Sequence, residues 1–153
     1  MRVLELRIPP PVVALLAAGA MWGTARLAPL VDLPQSARIG SAIVCALAGV
    51  GIDIAGIVSF QLAKTTVNPM KLEKTSALVC SGIYRLTRNP MYLGSVLILV
   101  AWAVYLSSAW ALLGPLAFVL YMNRFQIAPE ERALASKFGA PYADYRSRVR
   151  RWL

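Results

Sequence analysis

The chain has 153 residues, of which 58% are hydrophobic, and a formal net charge of +9 from 16 lysines and arginines against 7 acidic residues. Soluble domains usually contain about 45–50% apolar residues, so this composition indicates a membrane protein, and the length allows one domain, 1–153. The basic residues flank long apolar stretches instead of covering one face. They therefore favour a membrane surface with anionic headgroups, and not nucleic acid, as the partner.

The residue types exclude further classes of chemistry. The sequence has no histidine, which is the commonest metal ligand and the commonest general base. Its two cysteines, Cys45 and Cys80, are isolated and make neither a disulfide framework nor a metal site. We therefore expect no metal site and no Ser–His or Cys–His catalysis.

Two apolar stretches in the N-terminal half predict membrane-spanning helices. The first, 11–30, follows Arg2 and Arg7 and resembles a signal peptide, but it has no clean polar boundary and is predicted to be retained. The second, 39–62, is long enough to cross about 30 Å of hydrocarbon. Small residues recur along it and predict close packing against another helix; they are Gly40, Ala46, Gly49, Ala55 and Gly56.

The C-terminal half contains a predicted helical hairpin. A polar, basic stretch, 64–89, leads into an uncharged block that extends to residue 123. As one helix this block would be about 50 Å long, which is too long for one crossing. Ser107–Ser108 lies near its centre. The sequence therefore predicts two spans, 91–106 and 109–122, joined at the two serines.

This hairpin returns the chain to the side that it left, so residues 88–92 are expected to lie beside residues 123–131. The tail, 123–153, is predicted to be cytoplasmic and to contain an amphipathic helix. Pro129 suits the first position of that helix, and Gly139 suits its end.

The distribution of basic residues predicts the orientation. The loop 64–88 has five and the tail has seven, whereas the turn between the first two spans has at most Arg26 and Arg38. The positive-inside rule then places the long loop and both termini in the cytoplasm. The predicted fold is an all-α, integral membrane protein with about four spans and a cytoplasmic tail helix.

Two polar clusters could carry chemistry. The first extends from Gly82 to Gly94, and by itself it is also typical of a helix start at the membrane interface, with snorkelling arginines and a belt of tyrosines. The second comprises Arg124, Gln126, Glu130, Glu131 and Arg132. It is either a solvated first turn or a pocket for a zwitterion, in which an arginine pairs with a carboxylate and a glutamate with an ammonium or sulfonium. The residue types alone leave these alternatives open.

Several ordered motifs occupy the last 90 residues. They are Thr66-Val67-Asn68-Pro69, Leu78-Val79-Cys80-Ser81-Gly82-Ile83-Tyr84, Arg88-Asn89-Pro90-Met91-Tyr92-Leu93-Gly94, Pro129-Glu130-Glu131-Arg132, Phe138-Gly139-Ala140-Pro141-Tyr142 and Tyr145 before the basic end, 149–153. In this order, the stretch 65–153 resembles the isoprenylcysteine carboxyl methyltransferase and phospholipid methyltransferase family. No single motif would be specific, but the series is.

The resemblance implies a helical membrane enzyme that binds S-adenosylmethionine without a Rossmann domain and takes a lipophilic acceptor from the bilayer, with the active site facing the cytoplasm. It implies that the cofactor pocket is formed by Tyr84, Arg88, Asn89, Pro90, Tyr92, Leu93, Gly94, Arg124, Glu130 and Glu131. Arg88 and Glu131 are the candidate catalytic residues. The eukaryotic prenylcysteine enzymes have histidine at the position of Asn89, which can form hydrogen bonds but cannot titrate.

Methyl transfer fits a chain without histidine. A sulfonium is an activated donor, so the reaction needs alignment more than acid–base assistance. A carboxylate or thiolate acceptor needs no base, whereas a protonated amine does. The absence of histidine therefore favours an acceptor that is already anionic or neutral. The resemblance implies an acceptor of the isoprenylcysteine carboxylate type, with a phospholipid amine, an isoprenoid acid and a small thiol as the open alternatives.

Asp53 is a separate feature, because it falls near the middle of the second predicted span. An intramembrane carboxylate is a functional-site hypothesis by default. It could face a cationic group of the acceptor, line a proton path, or be protonated and bonded to a neighbouring helix. The competing function is thus a small four-span transporter coupled through Asp53, and a non-catalytic scaffold is the third possibility. The concentration of polar residues at one interface favours the enzyme.

Overall fold

The computed structural model describes residues 5–27, 31–63 and 77–153. Over these ranges the chain is helical and contains no β-strand, which confirms the predicted all-α class. The α-helices are α1 (Pro10–Leu27), α2 (Gln35–Leu62), α3 (Pro90–Leu106), α4 (Leu113–Tyr121), α5 (Ala128–Phe138) and α6 (Ala140–Arg148). Short 3₁₀ helices cover Gly82–Arg85 and Ala109–Leu112, and a π-helical turn covers Met122–Ile127.

Two helical stretches of the described chain are long and apolar enough to cross a membrane. They are α2, with 28 residues, and the stretch Ala109–Phe138, with 30 residues, whereas the apolar α3 is shorter. Helix α2 begins at Gln35, four residues before the span predicted at 39–62. The end of the first predicted span and the loop segment 64–76, with the motif Thr66–Pro69, lie outside the described residues. The four-span topology stays a prediction.

Helices α2 and α3 cross closely at two glycines. A Cβ atom at Gly49 would lie 2.7 Å from the Gly94 carbonyl oxygen, and one at Gly56 would lie 2.9 Å from the Met91 side chain. The predicted close packing of small residues is therefore confirmed at these two positions, whereas Gly40 faces open space. The opposite side of α2 presents exposed apolar side chains, namely Ile43, Val44, Leu47, Val50, Ile54, Val58 and Leu62.

The chain reverses direction at the two serines, as the sequence predicted. Helix α3 ends at Leu106. The next residue, Ser107, has a left-handed φ of 53°, and its hydroxyl donates to the Val31 carbonyl at 2.7 Å. Helix α1 packs against both arms of this hairpin, and Met21 fills the space beside Gly114. The core between them comprises Met21, Tyr92, Leu99, Ala103, Ala111, Phe118, Met122 and Ile127.

The second arm of the hairpin differs from the prediction, because no break separates 122 from Pro129. The helix continues through the π-helical turn into α5. Pro129 has no N–H and cannot bond to the carbonyl of Phe125. The Leu6 N–H donates to that carbonyl instead, at 3.0 Å. A wider helical turn with an external donor thus accommodates the proline within a continuous helix.

The polar tail contains two helices, of which only the first was predicted. Helix α5 ends at Phe138, and Gly139 adopts a φ of +55°, a conformation that favours glycine. After α6, the last residues return alongside the segment before α3. The Arg88 N–H donates to the Arg150 carbonyl at 3.0 Å, and the Asn89 side chain donates to the Arg151 carbonyl at 2.9 Å. This return brings the C-terminal segment to the motif at the start of α3.

Candidate active site

A cavity of about 370 Å³ opens between α2, α3, α5 and α6. Its volume lies within the range of small-molecule sites, about 300–1,000 Å³. Much of the lining is apolar, with five aromatic rings: Phe60, Tyr84, Tyr92, Tyr142 and Tyr145. The polar side chains that reach it are Asp53, Arg88, Asn89, Ser95, Glu130 and Glu131. Charged groups from distant parts of the sequence therefore meet inside a largely apolar pocket.

One side of the cavity, which we call the braced wall, comprises Arg88, Glu131 and Tyr142, with Arg151 behind them. Arg88 pairs with Glu131 at 3.1 Å, and both side chains are only 11–12% exposed. Arg151 donates two hydrogen bonds to the same carboxylate, at 3.1 and 2.6 Å. Such bidentate pairs fix orientation as well as charge. Glu131 is therefore held between two guanidinium groups.

The surroundings of the braced wall favour the charged form of Arg151 and the neutral form of Tyr142. The hydrogen bond to Glu131 raises the pKa of the Arg151 guanidinium above its ordinary value. Burial raises the pKa of the Tyr142 phenol, and the negative charge of Glu131 adds to the increase. The Arg88 guanidinium donates to this hydroxyl at 3.5 Å. Tyr142 thus stays neutral and supports Arg88 from a second side.

The C-terminal segment supports this wall. Arg151 also donates to Asn123 in the π-helical turn at 3.4 Å, and the Trp152 indole donates to the same side-chain oxygen at 3.1 Å. Tyr145 on α6 donates to the Tyr84 carbonyl at 2.7 Å. These contacts tie three stretches that are distant in sequence around one ion pair.

The other side of the cavity, which we call the acidic wall, comprises Asp53, Tyr92 and Glu130. The Tyr92 hydroxyl donates to the Glu130 carboxylate at 2.5 Å. Within the described parts of the chain, neither Asp53 nor Glu130 forms an ion pair with a lysine or arginine. The Oδ1 atom of Asp53 is buried, and none of the described residues donates a hydrogen bond to it. This wall therefore has two carboxyl groups with no cationic partner among the described residues.

Gly94 makes room for the Asp53 carboxylate. A Cβ atom at this position would lie only 2.1 Å from Asp53 Oδ1, far inside the contact distance. The glycine of the Arg-Asn-Pro-Met-Tyr-Leu-Gly motif thus contacts the acidic wall from behind and does not line the cavity itself.

Six of the ten residues that the sequence assigned to the cofactor site line this cavity: Tyr84, Arg88, Asn89, Tyr92, Glu130 and Glu131. The hairpin therefore brings the two polar clusters together, as predicted. The other four do not reach the cavity. Pro90 is buried at the first turn of α3, Leu93 and Gly94 are not part of the lining, and Arg124 is about half exposed and pairs with Glu5 at 3.2 Å. The π-helical turn directs Arg124 towards the N-terminal segment.

The sequence analysis did not assign Phe60, Tyr142, Tyr145 or Arg151 to the site. The spacing of Tyr142 and Tyr145 places both on one side of a helix, so this pair carried a usable signal. Arg151 carried none, because its approach to Glu131 depends on the return of the chain after α6.

The fold and the site define a helical protein with membrane-length apolar helices and a charged, aromatic pocket at one end of its hairpin. The sequence profile of the phospholipid methyltransferase family matches residues 37–141, which are more than half of the chain. The chain therefore belongs to this family, and the predicted resemblance is confirmed. An uncharacterized protein of Haemophilus influenzae is 52% identical over 63 residues, which are 41% of this chain and the full length of that protein. No solved structure matches the chain.

Proposed function

We propose that the protein is an S-adenosylmethionine-dependent methyltransferase that acts on a lipophilic acceptor at the membrane–cytoplasm interface. The observation that carries this proposal is the meeting of Arg88, Glu130 and Glu131 in one cavity, in a chain that belongs to the phospholipid methyltransferase family. When bound, the cofactor supplies a methyl group on a sulfonium that is already activated for transfer. The protein then has to bind, orient and exclude water.

The donor set of the cavity fits this cofactor. Its methionine part carries a carboxylate, an ammonium and the sulfonium, and its adenine is an aromatic ring. Arg88 lines the cavity and can pair with a carboxylate there, and its Nε atom has no hydrogen-bond acceptor among the described residues. Glu130 accepts a hydrogen bond from Tyr92 and has no cationic partner among the described residues. The tyrosine rings of the lining suit both adenine and a sulfonium.

The residues of the braced wall act by orientation. Because Arg151 and Tyr142 hold Glu131 and Arg88 in place, the Arg88 guanidinium does not have to reorganise when an anion binds. We assign Arg88, Asn89, Glu130 and Glu131 to cofactor binding, with Arg88 and Glu131 as the candidate catalytic residues. Tyr84 and Tyr92 contribute ring surface.

We propose that the chain is an integral membrane protein with several spans, and that both termini and the cavity lie on the cytoplasmic side. The two membrane-length helices, the apolar α3 and the exposed apolar side of α2 support it. The excess of arginine in the tail supports the orientation, because basic segments stay in the cytoplasm.

An isoprenylcysteine carboxylate is one candidate acceptor, because a carboxylate needs no general base and the sequence has no histidine. A transporter coupled through Asp53 is the rival function. Asp53 lies nine residues before the end of α2, about 14 Å along the helix, and it shares its cavity with Glu130. A carboxylate at a one-sided pocket fits a ligand site better than a path across the membrane.

Calorimetric titration of S-adenosylmethionine and S-adenosylhomocysteine into the detergent-purified protein tests the proposal. We expect saturable binding of both. Arg88→Ala should weaken it by at least about 30-fold, because truncation of a buried charged partner costs about 2–5 kcal/mol. Glu131→Ala should act similarly. Arg124→Ala is the matched control, since Arg124 lies outside the cavity, and its affinity should be unchanged.

Two results would overturn the assignment. A folded wild-type protein that binds neither compound excludes the methyltransferase and favours the transporter, for which Asp53→Asn should then abolish transport. Binding that survives both Arg88→Ala and Glu131→Ala, in variants with a wild-type thermal transition, would place the cofactor elsewhere.

A further inference from the structure

The π-helical turn before α5 is held from two sides by segments that are distant in sequence. On one side, the Asn123 side chain accepts hydrogen bonds from Arg151 and Trp152 of the C-terminal segment. On the other side, the turn contacts residues 5–8, which we call the N-terminal strap. The C-terminal contacts support the braced wall, so the contacts of the N-terminal strap with the same turn bear on the same site.

The N-terminal strap forms two hydrogen bonds with the turn. The Leu6 N–H donates to the Phe125 carbonyl at 3.0 Å, and the Gln126 side chain donates to the Ile8 carbonyl at 2.7 Å. Because Gln126 is completely buried, water cannot replace its contact with Ile8. The two bonds attach to adjacent residues of the turn and fix its winding just before α5 begins.

Glu5 attaches the N-terminal strap to α5 itself. Its carboxylate pairs with Arg132 at 2.5 Å and with Arg124 at 3.2 Å. Because Arg132 is the closer partner, Arg124 can be truncated without release of Glu5. Arg132 directly follows Glu131 in α5. The N-terminal strap therefore holds the helix that carries the glutamates of the cavity.

Leu6 has a backbone conformation that leucine rarely adopts. Its φ is +56°, in the left-handed region, which is unfavourable for a residue with a Cβ atom. Such strain persists only where the surrounding contacts compensate for it. The contact at Leu6 is the hydrogen bond to Phe125, whose carbonyl has no helical donor because Pro129 lacks an N–H. The strained residue is thus the one that completes the turn.

The winding of the turn determines the direction of Glu130 and Glu131. A π-helical turn contains more residues than an α-helical one, and each extra residue rotates the following helix by about 100°. Glu130 comes three residues after the turn ends at Ile127. A turn wound in another way would therefore direct both carboxylates away from the cavity.

We propose that the N-terminal strap is a positioning element of the cofactor site, an inference that rests on the proposed methyltransferase function. It fixes the π-helical turn and so keeps Glu130 and Glu131 directed at the amino-acid part of S-adenosylmethionine. Leu6 and Gln126 are the positioning residues. Neither is part of the cavity lining, so both act through α5.

The test compares two ligands by calorimetry on the detergent-purified protein. S-adenosylhomocysteine has an adenosine part and an amino-acid part, whereas 5′-methylthioadenosine has the adenosine and the sulfur alone. Leu6→Pro removes the N–H and cannot adopt a positive φ, and Gln126→Leu removes the other donor at similar volume. Leu6→Gly is the matched control, because glycine keeps the N–H and adopts a positive φ readily.

We expect Leu6→Pro and Gln126→Leu each to weaken binding of S-adenosylhomocysteine by about tenfold, which corresponds to about 1.4 kcal/mol. Binding of 5′-methylthioadenosine should change by less than about twofold, because the glutamates face the part that this ligand lacks. Leu6→Gly should leave both affinities unchanged. If Leu6→Pro fails to fold, Gln126→Leu tests the same prediction at the second hydrogen bond.

The remaining outcomes overturn the inference or the function on which it rests. Unchanged affinity for S-adenosylhomocysteine in both variants refutes the positioning role. An equal loss for the two ligands would mean that the N-terminal strap supports only the fold, which also refutes it. The same loss in Leu6→Gly as in Leu6→Pro would exclude the hydrogen bond to Phe125 as the cause. If the wild type does not bind S-adenosylhomocysteine, the proposed function fails and this inference fails with it.

Discussion

The two walls of the cavity contain carboxylates in opposite situations. In the braced wall, Glu131 is shared by Arg88 and Arg151 and is fully compensated. In the acidic wall, Glu130 has a hydrogen bond from Tyr92, and Asp53 Oδ1 has no donor among the described residues. Glu130 and Glu131 are adjacent in sequence, so the difference comes from the side of α5 that each one occupies.

This difference separates two tasks that a binding site performs. In a compensated ion pair both charges already have their partners before a ligand binds, so the pair serves to position other groups. A carboxylate without a cationic partner in the protein can gain one from the ligand, so it contributes to affinity and selectivity. The expected effects of mutation differ accordingly, with stability more sensitive at the braced wall and ligand preference more sensitive at the acidic wall.

The largest effect on stability is expected from Glu131→Gln. This change leaves the Arg88 and Arg151 guanidinium groups facing each other without the anion between them. Because removal of one partner from a mostly buried pair costs about 3–5 kcal/mol, we expect a loss of about 3 kcal/mol in the free energy of unfolding, measured in mixed detergent micelles. Asp144→Asn breaks an exposed pair and should cost about 0–1 kcal/mol. Equal losses in the two variants would contradict the bracing.

The next effect is expected from Gly94→Ala, which tests the acidic wall. The added methyl group would lie 2.1 Å from Asp53 Oδ1, so the carboxylate or the helix has to move. Overpacking of this kind costs about 1–3 kcal/mol. The double variant with Asp53→Ala should recover part of the loss, since the colliding atoms are gone. Gly51→Ala, where the new methyl group meets open space, is the control and should be neutral or slightly stabilising.

The sequence predicted two site residues in each wall, Arg88 and Glu131 in the braced wall and Tyr92 and Glu130 in the acidic wall, and it named Asp53 without assigning it a role. The motifs around Arg88 and Glu131 were readable, and the serines at 107–108 predicted the turn that brings them together. The contact of Arg151 with Glu131 was not predictable, because it requires α6 and the return of the last residues. Asp53 stood out as an acidic residue in an apolar helix, but only the structure shows that its carboxylate packs against Gly94.

The continuous helix through Pro129 shows a second limit of sequence patterns. Proline followed by two glutamates is typical of a helix start, and the sequence analysis interpreted it in that way. The structure retains the helix because the Leu6 N–H, more than 100 residues away, satisfies the Phe125 carbonyl. A local pattern cannot report a donor that arrives from elsewhere in the fold.

A smaller effect is expected at Arg151, behind the braced wall. Arg151→Ala removes the bidentate contact and lets Glu131 and Arg88 reorient, so the affinity for S-adenosylhomocysteine should fall by about tenfold. Arg151→Lys should restore only part of it, because an ammonium cannot grip both oxygens in the same fork. Arg150→Ala is the control, since its backbone carbonyl provides the contact to Arg88 and its side chain is exposed. If all three variants retained wild-type affinity, Arg151 would have no positioning role.

The smallest effect on ligand affinity is expected from Tyr92→Phe, which removes the hydroxyl that donates to Glu130 at 2.5 Å and keeps the ring. A hydrogen bond to a charged group contributes about 1.5–3 kcal/mol in a buried site, but loss of the donor also leaves Glu130 more available to a cation. The two consequences have opposite signs for binding. We therefore expect lower thermal stability together with an unchanged or tighter affinity for S-adenosylmethionine, measured by calorimetry. A parallel fall in both quantities would mean that Tyr92 positions Glu130 for the ligand, and the acidic wall would then be preorganised like the braced one.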